Sequence, residues 1–165
     1  MRRAIAVIAG VLLLAVVNVV VFQRERLLTD GRIVLLELAP VDPRSLMQGD
    51  YMALEFRAAV DARASASVAA STGGHLVLAV DERGVARFVR RDDGTPLAER
   101  EVRLRYRVRD GRVKLASNAW FFEEGQAAPF ASARFGEFRV ADDGEALLAG
   151  MRDAALQTID PAISR

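Results

Sequence analysis

The segment Glu101–Ser117, EVRLRYRVRDGRVKLAS, decides the fold. Successive side chains of an extended strand point to opposite faces. Val102, Leu104, Tyr106 and Val108 therefore share one face, and Arg103, Arg105, Arg107 and Arg109 share the other. Asp110-Gly111 is a two-residue hairpin signal, and Arg112–Ser117 (RVKLAS) reads as the returning strand. The same pattern recurs on both sides of this hairpin. His75–Val80 and Val85–Arg90 flank Asp-Glu-Arg-Gly, while Phe135–Val140 and Ala146–Met151 flank Asp142-Asp143-Gly144. Arg32–Leu38 and Tyr51–Arg57 add two further strand candidates. Repeated hairpins of this kind predict a mainly β domain, an antiparallel meander closing into a small barrel or strongly curved sheet.

Two segments interrupt the period of two. Asp61–Ser71 (DARASASVAAS) is alanine-rich behind a potential Asp cap, which predicts a short helix lying on the sheet. Glu124–Arg134 contains Pro129 and predicts a second helical turn. Ahead of the domain, Ala4–Phe22 (AIAVIAGVLLLAVVNVVVF) carries no charge. As a helix rising about 1.5 Å per residue it reaches roughly 28 Å, enough to cross a hydrocarbon core. Arg2 and Arg3 resemble the start of a signal peptide, but no small-x-small cleavage site follows the apolar run. The expected organisation is a transmembrane signal anchor over 1–22 and a charged linker over 23–31. A β-rich domain then occupies 32–153, and a tail that frays occupies 154–165.

Composition excludes several chemistries. The chain has no cysteine, which removes disulfides, thiolate catalysis and Cys-based metal sites. His75 is the lone histidine, so His-pair metal sites are excluded and a catalytic triad is disfavoured. Asp92-Asp93 and Asp142-Asp143 precede turns and lack the alternating carboxylates of a calcium loop. A net charge of +1 argues against a nucleic-acid partner. Of 23 basic residues only Lys114 is lysine, a bias that weakens arginine abundance as a sign of anion binding. The Arg103–Arg109 ladder admits contact with lipid headgroups or an acidic partner. Its expected reading is a solvated face whose charges are matched across strands by Asp and Glu.

The densest polar stretch is residues 40–56, PVDPRSLMQGDYMALEF. Pro40, Asp42-Pro43 and Gly49 are turn chemistry, and Met52, Leu54 and Phe56 fall on one face as core candidates. Gly49-Asp50-Tyr51-x-x-Leu54-x-Phe56 resembles the signature of the GDYxxLxY proteins, with Phe56 in place of the final tyrosine. Pro43-Arg44-x-Leu46, Phe121-Phe122-Glu123-Glu124-Gly125-Gln126 and Arg134-Phe135-Gly136-Glu137 resemble other recurring segments of that family. The resemblance runs from about Ile33 to Asp153. It implies a bacterial membrane-anchored domain of uncharacterised function, often encoded beside polytopic membrane proteins, and it transfers no catalytic residue.

A further resemblance is to type I signal peptidases, which are also anchored by an N-terminal span. Aligning Leu46 and Gly49-Asp50 to their Ser-x-x-Pro-Thr-Leu-x-x-Gly-Asp segment puts Val41 at the nucleophile and Arg44 at the proline. Ser45 then falls at the threonine. Lys114, the one possible lysine base, points outward with Arg112, whereas such a base needs a desolvated site. A signal-peptidase-like serine hydrolase with a degenerate Ser/Lys site is thus the alternative, not the leading reading.

The leading reading is an interaction module without catalysis, cofactor or metal. Its expected binding residues are Arg44, Gln48, Asp50 and Tyr51, joined by Glu123 and Glu124 if the two loops lie together. Trp120 and Phe122 share one strand face and Phe121 takes the other, so one aromatic face is core and the other covers a helix, is covered by the Asp61–Ser71 segment, or presents a hydrophobic partner site. The expected partners are the bilayer, through residues 4–22, and a polytopic membrane protein. No small-molecule ligand is specified. The expected location is the bacterial cytoplasmic (inner) membrane, single-pass, with the C-terminal domain facing the periplasm or cell exterior.

Overall fold

The computed structural model describes residues 2–40, 47–48 and 51–160, with side chains over 8–40 and 51–160. A helix, α1 (Arg2–Asp30), opens the chain. Its residues 8–30 are long and apolar enough to cross a membrane, and none of that window is buried in the protein. The charged stretch after Phe22, expected as a linker, forms the last turns of the same helix as far as Asp30. The helix stops where Gly31 donates its N–H to the Leu27 carbonyl. A Cβ at Gly31 would collide with that oxygen, so the position favours glycine.

Ten strands follow among the described residues: β1 (Arg32–Glu37), β2 (Met47–Gln48), β3 (Tyr51–Ala53), β4 (Gly73–Val80), β5 (Val85–Arg91), β6 (Glu101–Arg109), β7 (Arg112–Lys114), β8 (Ala119–Phe121), β9 (Phe135–Val140) and β10 (Ala146–Arg152). Seven of them form one curled sheet in the order β10-β9-β1-β5-β4-β6-β7, and β2-β3-β8 form another. The three predicted hairpins are present. Asp110 and Gly111 both adopt positive φ, as the turn between β6 and β7 requires. Every described ladder is antiparallel except β1–β5, which pair parallel through Leu35 and Val85. The connection that makes this possible crosses the core through α2 (Arg57–Ala64) and α3 (Ala66–Ala69).

Helix α2 begins four residues before the predicted Asp61, and no side chain caps it. It packs by smallness. Ala58, Ala59 and Ala62 face inward, bringing the helix against β1, β5 and β7, while Arg57 and Asp61 pair outside at 3.5 Å. The core between helix and sheet holds Val34, Leu36, Leu76, Leu78, Leu104, Tyr106 and Phe138. Tyr106 is fully buried, with its hydroxyl 2.7 Å from Ser71 Oγ. The sheet curls until its two ends nearly meet. Arg105 N–H donates to the Gly144 carbonyl in the β9–β10 turn, at 2.8 Å.

Of the tail expected to fray, residues 154–160 fold back, and residues 161–165 lie outside the described residues. Thr158 bridges to Arg152, Ile159 N–H donates to the Met151 carbonyl, and Ile159 packs against the core. Arg152 fixes the reversal by donating from Nη1 to the Leu156 carbonyl at 2.7 Å.

Candidate functional site

The signature segment is largely consumed by packing. Tyr51–Ala53 is strand, after which the chain leaves the ladder and enters α2 at Arg57. Met52, Leu54 and Phe56 are all buried, and Phe56 has no exposure at all. Backbone bonds hold this stretch on both sides. Ala39 N–H donates to the Glu55 carbonyl, Leu54 N–H donates to Asn118 O, and Asn118 Nδ2 returns a bond to Leu54 O.

Phe56 then meets another family segment. A Cβ on Gly136 would come 2.9 Å from the Phe56 ring, and Phe138 packs edge-on to that ring at 5.1 Å. Gly136 is thus the floor on which the last aromatic of the signature rests. Its neighbour Glu137 is a buried carboxylate, 8% exposed, held by Arg152 at 2.6 Å and Arg139 at 3.7 Å. Two of the motifs that carry the resemblance therefore touch each other, and their job in this fold is architectural.

Of the expected binding residues, Arg44 and Asp50 lie outside the described residues, as does Ser45. Gln48 is placed by its backbone alone, opposite Tyr51 in the β2–β3 pair. Tyr51 is half-buried and lies opposite Phe121 in the β3–β8 pair, with ring centroids 5.8 Å apart. Glu123 and Glu124 are placed in the turn that follows, closed by Gln126 N–H on the Glu123 carbonyl, and Glu124 is exposed there. The β3–β8 register therefore sets this acidic turn two residues beyond the Tyr51–Phe121 pair.

The aromatic triplet divides as its alternation predicts. Trp120 and Phe122 pack on Phe130, with centroids 5.9 and 5.5 Å away. Phe121 points the other way and is 73% exposed, the highest value among the large apolar side chains described. It borders a groove of about 310 Å³ shared with Trp120, Ser117, Leu147 and Leu148. That groove runs between β8 and β10, the end strands of the two sheets.

A larger cleft, of about 580 Å³, lies beside the end of α1 and is strongly basic. Arg24, Arg105, Arg107, Arg109 and Lys114 line it, with Glu145 the one carboxylate among the described residues. Lys114 sits between buried Val113 and Leu115 and points outward, as its alternation predicts. Opposite it in the register stands Arg107. The β6–β7 hairpin itself sets Lys114 opposite Arg107, whereas Arg24 is brought to the ladder only by the fold of the chain. Among the described residues, no three His, Asp or Glu side chains gather as a metal-binding group.

No curated protein and no solved structure matches the chain. The model of the GDYXXLXY protein family matches residues 13–151, which takes in most of α1 and nearly all of the β domain, and the chain belongs to that family.

Proposed function

We propose that this protein is a single-pass, membrane-anchored interaction module, accessory to a polytopic membrane protein, with its β domain outside the cytoplasm. The observation that carries the reading is Phe121. A large aromatic side chain 73% exposed beside Tyr51 costs solvation free energy unless something covers it in use. The neighbouring groove and the Glu123-Glu124 turn give that surface an apolar centre with a polar margin, the usual anatomy of a protein interface. The unburied apolar helix supports the anchor. Gln48, opposite Tyr51 in the β2–β3 pair, belongs to the same proposed surface, and Arg44 and Asp50 are assigned to it from the sequence alone.

A photo-crosslinking amino acid at position 121 of the full-length chain, in intact cells, tests this. The expected product is an adduct with an integral membrane protein, absent when the same group replaces Arg87 in the large sheet. An adduct with soluble proteins only, or equal labelling from both positions, would sink the reading.

A further inference from the structure

We propose that the basic cleft beside the end of α1 holds the phosphate of an anionic phospholipid headgroup. The inference rests on the anchor reading above for its location, and on the charges of the cleft for its chemistry.

Several arginines elsewhere in the fold are matched. Arg103 meets Asp92 at 2.8 Å, Arg90 meets Asp93 at 2.8 Å, Arg100 meets Glu82 at 3.2 Å, and Arg152 meets Glu137. The cleft differs. Its one carboxylate among the described residues, Glu145, is taken by Arg24 at 2.9 Å. Across the ladder Arg107 stands opposite Lys114 and Arg109 opposite Arg112. Like charges placed directly opposite destabilise a sheet. A bias towards arginine codons does not explain why the cations here face one another, when Arg103 on the same strand face has its carboxylate.

Position selects the ligand. Arg24 is two residues past Phe22, so a rise of about 1.5 Å per residue puts it roughly 3 Å beyond the apolar run. That is within the interfacial layer, which is about 5–8 Å thick on each side of the hydrocarbon. Phosphates of the bilayer occupy that layer. Guanidinium forks bind phosphate oxygens through paired N–H donors, and a cleft of about 580 Å³ has room for a headgroup. A free phosphate ion has the same chemistry. The cleft's place against the anchor favours the lipid.

Native mass spectrometry of the full-length protein in detergent, titrated with phosphatidylglycerol or phosphatidylcholine, provides the test. The anionic lipid should bind at least about tenfold more tightly. Replacing Arg105, Arg107 and Lys114 together with Gln should weaken it about a hundredfold, taking roughly fivefold per cation near a membrane surface. Arg63→Gln, Arg83→Gln and Arg87→Gln combined should leave binding unchanged. Glu145→Gln removes the competing carboxylate and should tighten binding. Equal affinity for the two lipids, or equal loss from both triple variants, would overturn the proposal. So would displacement by millimolar inorganic phosphate, which would make this a soluble-anion site, or displacement by a polyglutamate peptide, which would make it a protein surface. If the first triple variant fails to fold, Glu145→Gln decides alone, and no gain in affinity overturns the idea. Carbonate extraction keeps the two readings apart. Release of the wild-type chain from membranes defeats the anchor, whereas firm retention without lipid preference defeats only the headgroup site.

Discussion

The signature segment Tyr51–Phe56 and the arginine strand β6 make opposite impressions in the sequence; the structure keeps the core face expected of the first and gives the second an outer face whose cations are not matched as expected. The signature is recognisable and suggests function, yet Met52, Leu54 and Phe56 are buried, held by Asn118 on one side and β9 on the other. Strand β6 has the pattern of an ordinary amphipathic strand, yet its outer face carries cations set opposite other cations. A motif is recognised by its rigid, packed residues. Unmatched charge leaves no motif, because it consists in what is missing from the neighbouring strand.

The largest expected effect tests the packed half of that contrast. Phe56→Ala should cost about 3–5 kcal/mol and Leu54→Ala about 2–5 kcal/mol, since neither cavity can be filled from the short α2 above. Glu55→Ala, on the other face, should stay within about 0.5 kcal/mol. Gly136→Ala should cost about 1–3 kcal/mol by forcing a methyl into the Phe56 ring. Thermal melts of the full-length protein in detergent, read through the single tryptophan, give the comparison. Equal small losses from Leu54→Ala and Glu55→Ala would break the assigned register.

Much of this fold was legible because hairpins are local. Asp110-Gly111 and the strict alternation of Glu101–Arg109 fix both partners of that hairpin without reference to the rest of the chain. The same logic places Leu54 and Phe56 inside and sets Phe121 on the face opposite Trp120 and Phe122, and the structure makes that face the exposed one. What the sequence hid was non-local. The parallel β1–β5 pair and the approach of Gly144 to Arg105 depend on the curl of seven strands. The start of α2 at Arg57 was hidden because Phe56 offers no side-chain cap to read. The cleft was hidden for the same reason as the curl: Arg24 and Arg107 are far apart in the chain, and no periodicity links them.

A middle-sized effect tests whether matched and unmatched arginines differ in kind. Burial works to raise the Asp92 carboxyl, but the Gly94 N–H and the Arg103 guanidinium outweigh it and hold it below its ordinary value of 3.8. A lowered folded pKa contributes stability that is present above the unfolded value and lost as pH falls through the folded one. Asp92→Asn should therefore destabilise by about 0.5–1 kcal/mol near pH 7, in the range for a partly exposed pair. That difference should hold down to about pH 5 and shrink as pH drops below 3.8. A gap between wild type and Asp92→Asn that does not change down to about pH 3 would show that the carboxylate is not held by its charge.

The smallest effect is the most telling, because its sign is unusual. Removing a surface charge from a native protein is ordinarily neutral or slightly harmful. At Arg107 the neighbours across both sides of the ladder are Gly73 and Lys114, so the side chain has one like charge opposite and no carboxylate partner among the described residues. Cross-strand repulsion of this kind amounts to a few tenths of a kcal/mol, and its range is limited by a Debye length of about 10 Å at about 0.1 M salt. Arg107→Gln should therefore raise the melting temperature slightly in lipid-free detergent at low salt, and the gain should vanish as salt is added. Arg103→Gln, which breaks the pair with Asp92, should lower it under both conditions. With anionic lipid present the order at Arg107 should invert, because the wild-type cation then has a phosphate to meet. A loss of stability from Arg107→Gln without lipid would mean that the cation is already satisfied within the fold, and the contrast between the two arginines would collapse.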